Sequence, residues 1–214
     1  MISGGMEFAS EMLIKAGLKK MDVHEIPCSL LKDKRTSKSP HLKTWRDGWR
    51  HLKFILLFAP KHVFLLPGWL LLFTGLFFTA VLSFGQIEIG SLVLDANFIM
   101  VSAIPVIVGY QLLWLYKFDQ YFMTFAGYIQ PKNNYTIFSL EKALLFSILL
   151  FAIGILLALF LAMDWLKMGY SPIENIRLLM VSVECLIISL LTVVNSFMVS
   201  MMDIKTLQIK DTSI

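Results

Sequence analysis

VFLLPGWLLLFTGLFFTAVLSF, residues 63–84, carries no ionisable side chain, and it follows directly on the basic, tryptophan-bearing segment HLKTWRDGWRHLKF at residues 41–54. A bilayer hydrocarbon core of ~30 Å takes about 20 helical residues at ~1.5 Å each, so the apolar run is long enough to cross it. Three further runs have the same character: Phe98 to Tyr116, Ala143 to Met163 and Leu178 to Val199. Each is expected to be a helix, because an apolar segment in lipid must satisfy its backbone hydrogen bonds internally. The composition agrees. With 57% hydrophobic and 16% charged residues and a mean hydropathy of +0.71, the chain is too apolar for a soluble domain, in which roughly a quarter of residues are charged.

Charge is segregated rather than spread. Twelve of the nineteen Lys and Arg lie between Lys15 and Lys61, so the net charge of +4 is local. A basic block beside apolar spans favours anionic membrane lipid or a phosphorylated ligand as partner; nucleic acid is not expected without a soluble fold to present it. Gln86 to Asn97 holds Glu88 and Asp95 but no Lys or Arg and reads as external. The basic stretch before the first span is expected to stay in the cytoplasm. Four spans then return the tail to the same side, giving a multi-pass protein of the cell membrane with both termini cytoplasmic. The segment from Lys117 to Lys142 becomes a cytoplasmic loop, with an interfacial aromatic stretch from Phe118 to Tyr128.

No secretory signal precedes the spans, since the first thirty residues hold seven charges and lack an apolar core. Cys28 and Cys185 are too far apart in this topology to pair. His41, His51 and His62 lack ligand spacing, so no metal site is expected. Asn134-Tyr135-Thr136 matches a glycosylation triplet but falls on the cytoplasmic side.

The chain before the membrane is too short to bury a core alone. Glu7 to Lys20 has a helical pattern with Phe8, Met12 and Ala16 on one stripe and Glu11 four residues before Lys15, the favourable order for a surface pair. Val23 to Leu30 reads as a short strand, with Pro27 implying an edge or a bulge. A basic run follows, with Lys32, Lys34, Arg35 and Lys38 against Asp33; a solvated loop and a phosphate-binding role are both open for it. Ser39-Pro40 then starts a helix, serine as N-cap and proline in the first position. Leu42, Trp45, Trp49, Leu52 and Leu56 share one face of it and Lys43, Arg46, Asp47, Arg50 and Lys53 occupy the rest, so that Trp45, Arg46, Trp49 and Arg50 suit the headgroup layer. A core-facing helix packed on another domain has the same stripe.

GMEFASEM at Gly5 to Met12, EIP at Glu25 to Pro27 and HLKTWRDGWRHLKF at His41 to Phe54 resemble the end of the catalytic domain in bacterial family 2 glycosyltransferases, more specifically the polyprenyl-phosphate (dolichol-phosphate-like) hexose synthases with C-terminal membrane helices. The likeness continues through SLEKALLFSILLFAIGI at Ser139 to Ile155 and NSFMVS at Asn195 to Ser200. The resemblance implies a remnant of an α/β GT-A domain at 1–38, an amphipathic juxtamembrane helix at 39–60, a four-helix transmembrane region at 61–202 and a cytoplasmic tail at 203–214, mainly α overall.

The implied activity is transfer of a hexose from a nucleotide sugar to polyprenyl phosphate. In such enzymes an aspartate-rich motif holds a divalent metal, Mg or Mn, with the donor diphosphate. That motif is not in these residues, so the chain is expected to be a fragment without a catalytic residue, inactive alone, meeting nucleotide sugar only with the missing domain. Related synthases place a basic residue and a Gly-x-Ser-Lys element after the Glu-x-Pro strand. Here Lys32 stands near the first and Ser37-Lys38 end the second, with Arg35 in place of the glycine. By the resemblance, Lys32, Arg35, Ser37 and Lys38 take up acceptor or donor phosphate.

Two residues inside the last span stand out: Glu184, a carboxylate where an acidic group costs roughly 2.5 to 3.5 kcal/mol to insert, and Asn195, eleven residues on and near the same face. They mark either a polar path for lipid or sugar or a helix-paired carboxyl near the outer end of the span. Gly154, Ala158 and Ala162, and likewise Gly75, Thr79 and Ser83, form small-residue stripes for close helix packing, within one chain or across a homo-oligomer. The competing reading of the whole is an independent four-span protein, a lipid-linked sugar translocation factor or anchoring subunit; a third is one half of a split enzyme. The sequence upstream of Met1 separates the first two, and co-purification with a soluble transferase domain tests the third.

Overall fold

The computed structural model describes residues 7–29, 44–89, 92–125, 140–167 and 175–212. Two helices precede the membrane region, α1 (Glu7–Leu18) and α2 (Thr44–Leu57). Four long ones follow: α3 (Leu66–Phe84), α4 (Ala96–Phe125), α5 (Leu140–Lys167) and α6 (Ile176–Thr212). Four segments within this region are long and apolar enough to cross a membrane, Lys61–Phe84, Asn97–Phe125, Leu140–Lys167 and Ile176–Met202. All four expected spans are therefore helices, each longer than its apolar run alone predicts. Among the candidate spans the difference is greatest in α4, Asn97–Phe125 against an expected Phe98 to Tyr116. Its 30 residues extend ~45 Å at ~1.5 Å per residue, so the aromatic stretch from Phe118 is helical to Phe125 rather than a loop.

The entry to the first span is wound as a single π-turn, Lys61–Leu65, continuous with α3. Pro67 explains it. Proline has no N–H to offer the carbonyl four residues back and its ring crowds that carbonyl; a wider turn relieves both conflicts.

The spans pack in the order α3, α4, α6, α5, so α3 and α5 are the edges of the bundle and α6 is flanked on two sides. Glycines set the α3–α4 distance. A Cβ on Gly109 would lie 2.5 Å from the Leu72 nitrogen and 2.7 Å from the Gly68 oxygen, and one on Gly75 would lie 2.7 Å from the Val106 nitrogen. Backbone meets backbone there, the close packing by which helices associate in lipid without a hydrophobic drive. The α5–α6 contact uses a seven-residue step instead. Ala143, Ser147, Gly154 and Leu161 are the buried positions of α5. The Gly154 hydrogen faces Leu186 and the Ser182 carbonyl. The small-residue stripes are thus partly corrected: Gly75, Thr79 and Gly154 are buried, whereas Ser83 and Ala162 are exposed and Ala158 only half-buried. A 3.6-residue helix in a long antiparallel contact follows steps of seven more closely than steps of four.

Outside the spans the structure departs from expectation in two places. The segment between α3 and α4 forms a hairpin, β1 (Ile87–Ile89) antiparallel to β2 (Leu92–Leu94), which alternating residues in so short a loop did not announce. Conversely the strand expected at Val23 to Leu30 is not formed over 23–29. A strand exists only by pairing, and among the described residues no other strand lies beside it. Helix α1 ends with Lys20 in the left-handed region at φ 52°, while the Met21 N–H donates to the Ala16 carbonyl at 2.9 Å and the Lys20 N–H to Gly17 at 3.1 Å, a helix stop usually made by glycine.

Candidate functional site at the juxtamembrane helices and the polar seam

Helix α2 leads directly into the first span, and its sequence pattern decides what it can touch. Trp45, Trp49, Leu52 and Leu56 form its apolar face, and all four are exposed, Trp45 to 89% and Trp49 to 61%. Arg46 and Arg50 are exposed too, and the Arg46 Nε lies 3.6 Å from an Asp47 carboxylate oxygen. Nothing within the described residues covers this tryptophan face. An amphipathic helix with uncovered Trp and flanking Arg is built for a headgroup layer or another apolar surface.

Helix α1 lies against α2 through polar groups. The Ser10 hydroxyl is 3.4 Å from His51 Nε2, and Glu11, which forms an ion pair with Lys15, is only 1% exposed. The ion pair was legible; the burial was not. Glu11 is buried instead of on a solvated surface, and the stripe of Phe8 and Met12 points outward, 47% and 48% exposed. Both helices leave apolar faces open. Lys32, Arg35, Ser37, Lys38, Leu42 and Lys43 lie outside the described residues, as do Ser39-Pro40 and the triplet at 134–136.

Inside the bundle, α6 carries hydrogen-bonding groups on both flanks. Toward α5, Ser147 and Ser189 exchange bonds with each other's carbonyl oxygens at 3.1 and 2.9 Å, and the Ser182 hydroxyl donates to the Gly154 carbonyl at 2.8 Å. Toward α3 and α4, the Ser102 hydroxyl donates to Ile99 at 2.8 Å and lies 2.9 Å from the Thr79 hydroxyl, which in turn lies 3.4 Å from Glu184 Oε1. Further along, the Tyr110 hydroxyl meets Thr192 Oγ1 at 2.6 Å, and Asn195 Nδ2 donates to Gln111 Oε1 at 2.9 Å.

Glu184 and Asn195 do share a face, as their spacing predicts, and both are buried, at 6% and 3% exposure. They do not touch each other. Each is tied to a neighbouring helix, which makes them rungs of a seam that joins helices. The residues Tyr110, Gln111, Ser102 and Thr192 were missed by sequence reasoning; the seven-residue step from Ser182 to Ser189 is a signal that could have found the α5 flank of the seam.

At the α2 end of the bundle, the Lys117 ammonium stands 4.8 Å over the Trp114 ring, and one carboxylate oxygen of Asp119 is buried with no hydrogen-bond partner. Lys117 and Asp119 lie near the end of the α4 span, past its apolar core. The described residues bring no three His, Cys, Asp or Glu side chains together as a metal site. The divalent metal that the resemblance assigns to a complete enzyme therefore has no donor set among them.

Comparison with known proteins matches this architecture. Residues 122–203, from the end of α4 through the membrane part of α6, match the family model for the glycosyltransferase family 2 C-terminal transmembrane region. The chain is also similar to the low-salt glycan biosynthesis hexosyltransferase Agl6 of Haloferax volcanii, 28% identical over 199 residues, which cover 92% of this chain and 47% of that protein. It spans about half the length of that curated relative. No solved structure matches it. Four apolar helices, a match across the last two spans to the glycosyltransferase family 2 C-terminal transmembrane region and similarity to a hexosyltransferase together support a family 2 C-terminal membrane part.

Proposed function

We propose that this chain is the acceptor-side, membrane-anchoring portion of a hexosyltransferase that moves a hexose from a nucleotide sugar to a polyprenyl phosphate at the cytoplasmic face of the cell membrane. The observation that carries the reading is the uncovered Trp45 and Trp49 face of α2, continuous through one turn with a membrane span. A helix anchored this way holds whatever precedes it at the leaflet surface, where the phosphate of a lipid acceptor also lies. Lys32, Arg35 and Lys38 then neutralise that phosphate or the donor diphosphate, with the Ser37 hydroxyl donating a hydrogen bond. The similarity to a hexosyltransferase supports the transfer chemistry.

Nucleotide-sugar binding and the divalent metal belong to a GT-A domain, and no chemical step is assigned to the described residues. The test is to express the chain joined to or together with such a domain and to measure polyprenyl-phosphate-linked hexose in membranes. Charge reversal, R35E with K38E, is expected to depress turnover at least tenfold while membrane insertion is unchanged. Undiminished lipid-linked sugar from the doubly reversed protein would refute the phosphate assignment.

A further inference from the structure

The β1–β2 hairpin is joined to the membrane helices by very short links. Gly85 and Gln86 separate the end of α3 from Ile87, and Asp95 alone separates Leu94 from α4. An extended chain covers at most ~3.6 Å per residue, so the two ends of the hairpin lie within about 11 Å and 7 Å of the two helix ends. One candidate span stops at Phe84 and the next starts at Asn97, which puts both strands at the edge of the hydrocarbon. Phe84 is 94% exposed within the protein, and an aromatic ring at that level suits the membrane interface.

The register fixes what each face of the hairpin carries. Ile87 pairs with Leu94 and Glu88 with Val93. Residues directly opposed in an antiparallel pair share a face, and successive residues alternate between faces. Ile87 and Leu94 are therefore on one side, both half-buried, and Glu88 and Val93 on the other, both exposed. Gln86 Nε2 donates to Glu88 Oε1 at 3.4 Å, which adds a second polar group beside Glu88. Among the described residues the extensive contact of each strand is with the other strand, and no helix packs along the hairpin as the spans pack along one another. Its base is tied to α6 by charge, the Arg177 Nη2 donating to Asp95 Oδ1 at 3.5 Å. A two-stranded hairpin alone is marginal in water, and what lies at this level to cover an aliphatic face is lipid.

We infer that the hairpin lies on the bilayer with Ile87 and Leu94 turned into the boundary between headgroups and acyl chains, and Glu88 and Val93 turned to water. The partner is phospholipid itself, met through its acyl chains without selection for headgroup charge, since Gln86 to Asn97 holds no Lys or Arg. Helix α3 then has an interfacial element at each end, α2 before it and the hairpin after it. The span between them, Lys61–Phe84, has 24 residues, ~36 Å at ~1.5 Å each, against a hydrocarbon core of ~30 Å. Two surface-bound ends limit how far the span tilts or slides to absorb that difference. The inference uses the span assignment alone and is independent of the acceptor reading.

The experiment takes the full 214-residue chain with C28S and C185S as a cysteine-free background, adds I87C, E88C, V93C or L94C singly, attaches a nitroxide and reconstitutes each in phosphatidylcholine liposomes. Collision with oxygen, which partitions into lipid, is compared with collision with a water-soluble nickel chelate. The oxygen-to-nickel ratio is expected to be at least threefold higher at 87 and 94 than at 88 and 93, and to stay so when phosphatidylglycerol replaces part of the lipid. Ratios alike at all four positions overturn the inference, because the hairpin then stands in water or is wholly immersed. Low access of both reagents to 87 and 94 with spin–spin broadening also overturns it, since a second copy of the chain then covers the face. A contrast that emerges only with phosphatidylglycerol overturns the acyl-chain assignment. A second readout needs no substitution: phosphatidylcholine with a diazirine high in its acyl chain, photolysed around the unaltered chain, is expected to crosslink to residues 84–94, and the absence of any crosslink there overturns the inference.

Discussion

The amide of Asn195 on α6 faces the amide of Gln111 on α4 in a reciprocal pair, Nδ2 to Oε1 at 2.9 Å and Nε2 to Oδ1 at 3.4 Å. Each group meets half of the other's hydrogen-bonding capacity where lipid offers none. Interhelical bonds of this kind contribute about 0.6 to 2 kcal/mol. In a double-mutant cycle of N195A, Q111A and the double variant, read by thermal unfolding in detergent, the single losses are expected to exceed additivity by about 1 kcal/mol. Strict additivity would mean that the pair does not couple α4 to α6.

A sharper failure is expected at Gly109. Any Cβ there falls 2.5 Å from the Leu72 nitrogen, and a helix backbone cannot give way as a flexible side chain does. G109A should lower stability by about 1 to 3 kcal/mol through forced separation of α3 from α4. Gly48, in the middle of α2, has nothing within 4 Å of a built Cβ, so G48A should stabilise α2 by roughly 0.5 to 1 kcal/mol. Melting temperatures of the two variants in the same detergent are therefore expected to move in opposite directions. A fall in both would show that α2 is packed on something at Gly48.

These contrasts also mark what the sequence could say. The spans were legible because hydropathy is a property of each segment by itself, and Trp45, Trp49, Arg46 and Arg50 were legible as one amphipathic face for the same reason. Pairing is a property of two segments. The fate of Glu11, the absence of a strand at 23–29, the hairpin at 87–94 and the partners of Glu184 all depend on what lies opposite. The spacing of Glu184 and Asn195 gave their common face but not Thr79 or Gln111, since four helices can be ordered in several ways and the spacing along one of them does not say which neighbours it meets.

Glu184 tests whether the seam holds helices together or serves as a polar path. Its Oε1 accepts from Thr79 across the α3–α6 contact, and glutamine keeps that acceptor at nearly the same volume without an ionisable group. E184Q is therefore expected to preserve both stability and any lipid-linked sugar synthesis. E184L should leave Thr79 and Ser102 to satisfy each other and destabilise by about 1 to 2 kcal/mol. If E184Q abolished synthesis while melting normally, Glu184 would have a role beyond joining helices.

Cys28 offers a reading of orientation without engineering an extra residue. It is exposed and lies before α2, whereas Cys185 sits within the last span, half-buried. The excess of Lys and Arg before the first span, against their absence from Gln86 to Asn97, argues that Cys28 faces the cytoplasm. A membrane-impermeant maleimide applied to intact cells should leave it unlabelled and should react after permeabilisation. E88C, introduced into a C28S background at the exposed edge of the hairpin, should show the reverse, labelling fully in intact cells. Labelling of Cys28 from outside would invert the topology, take α2 off the cytoplasmic leaflet and separate it from any nucleotide-sugar donor.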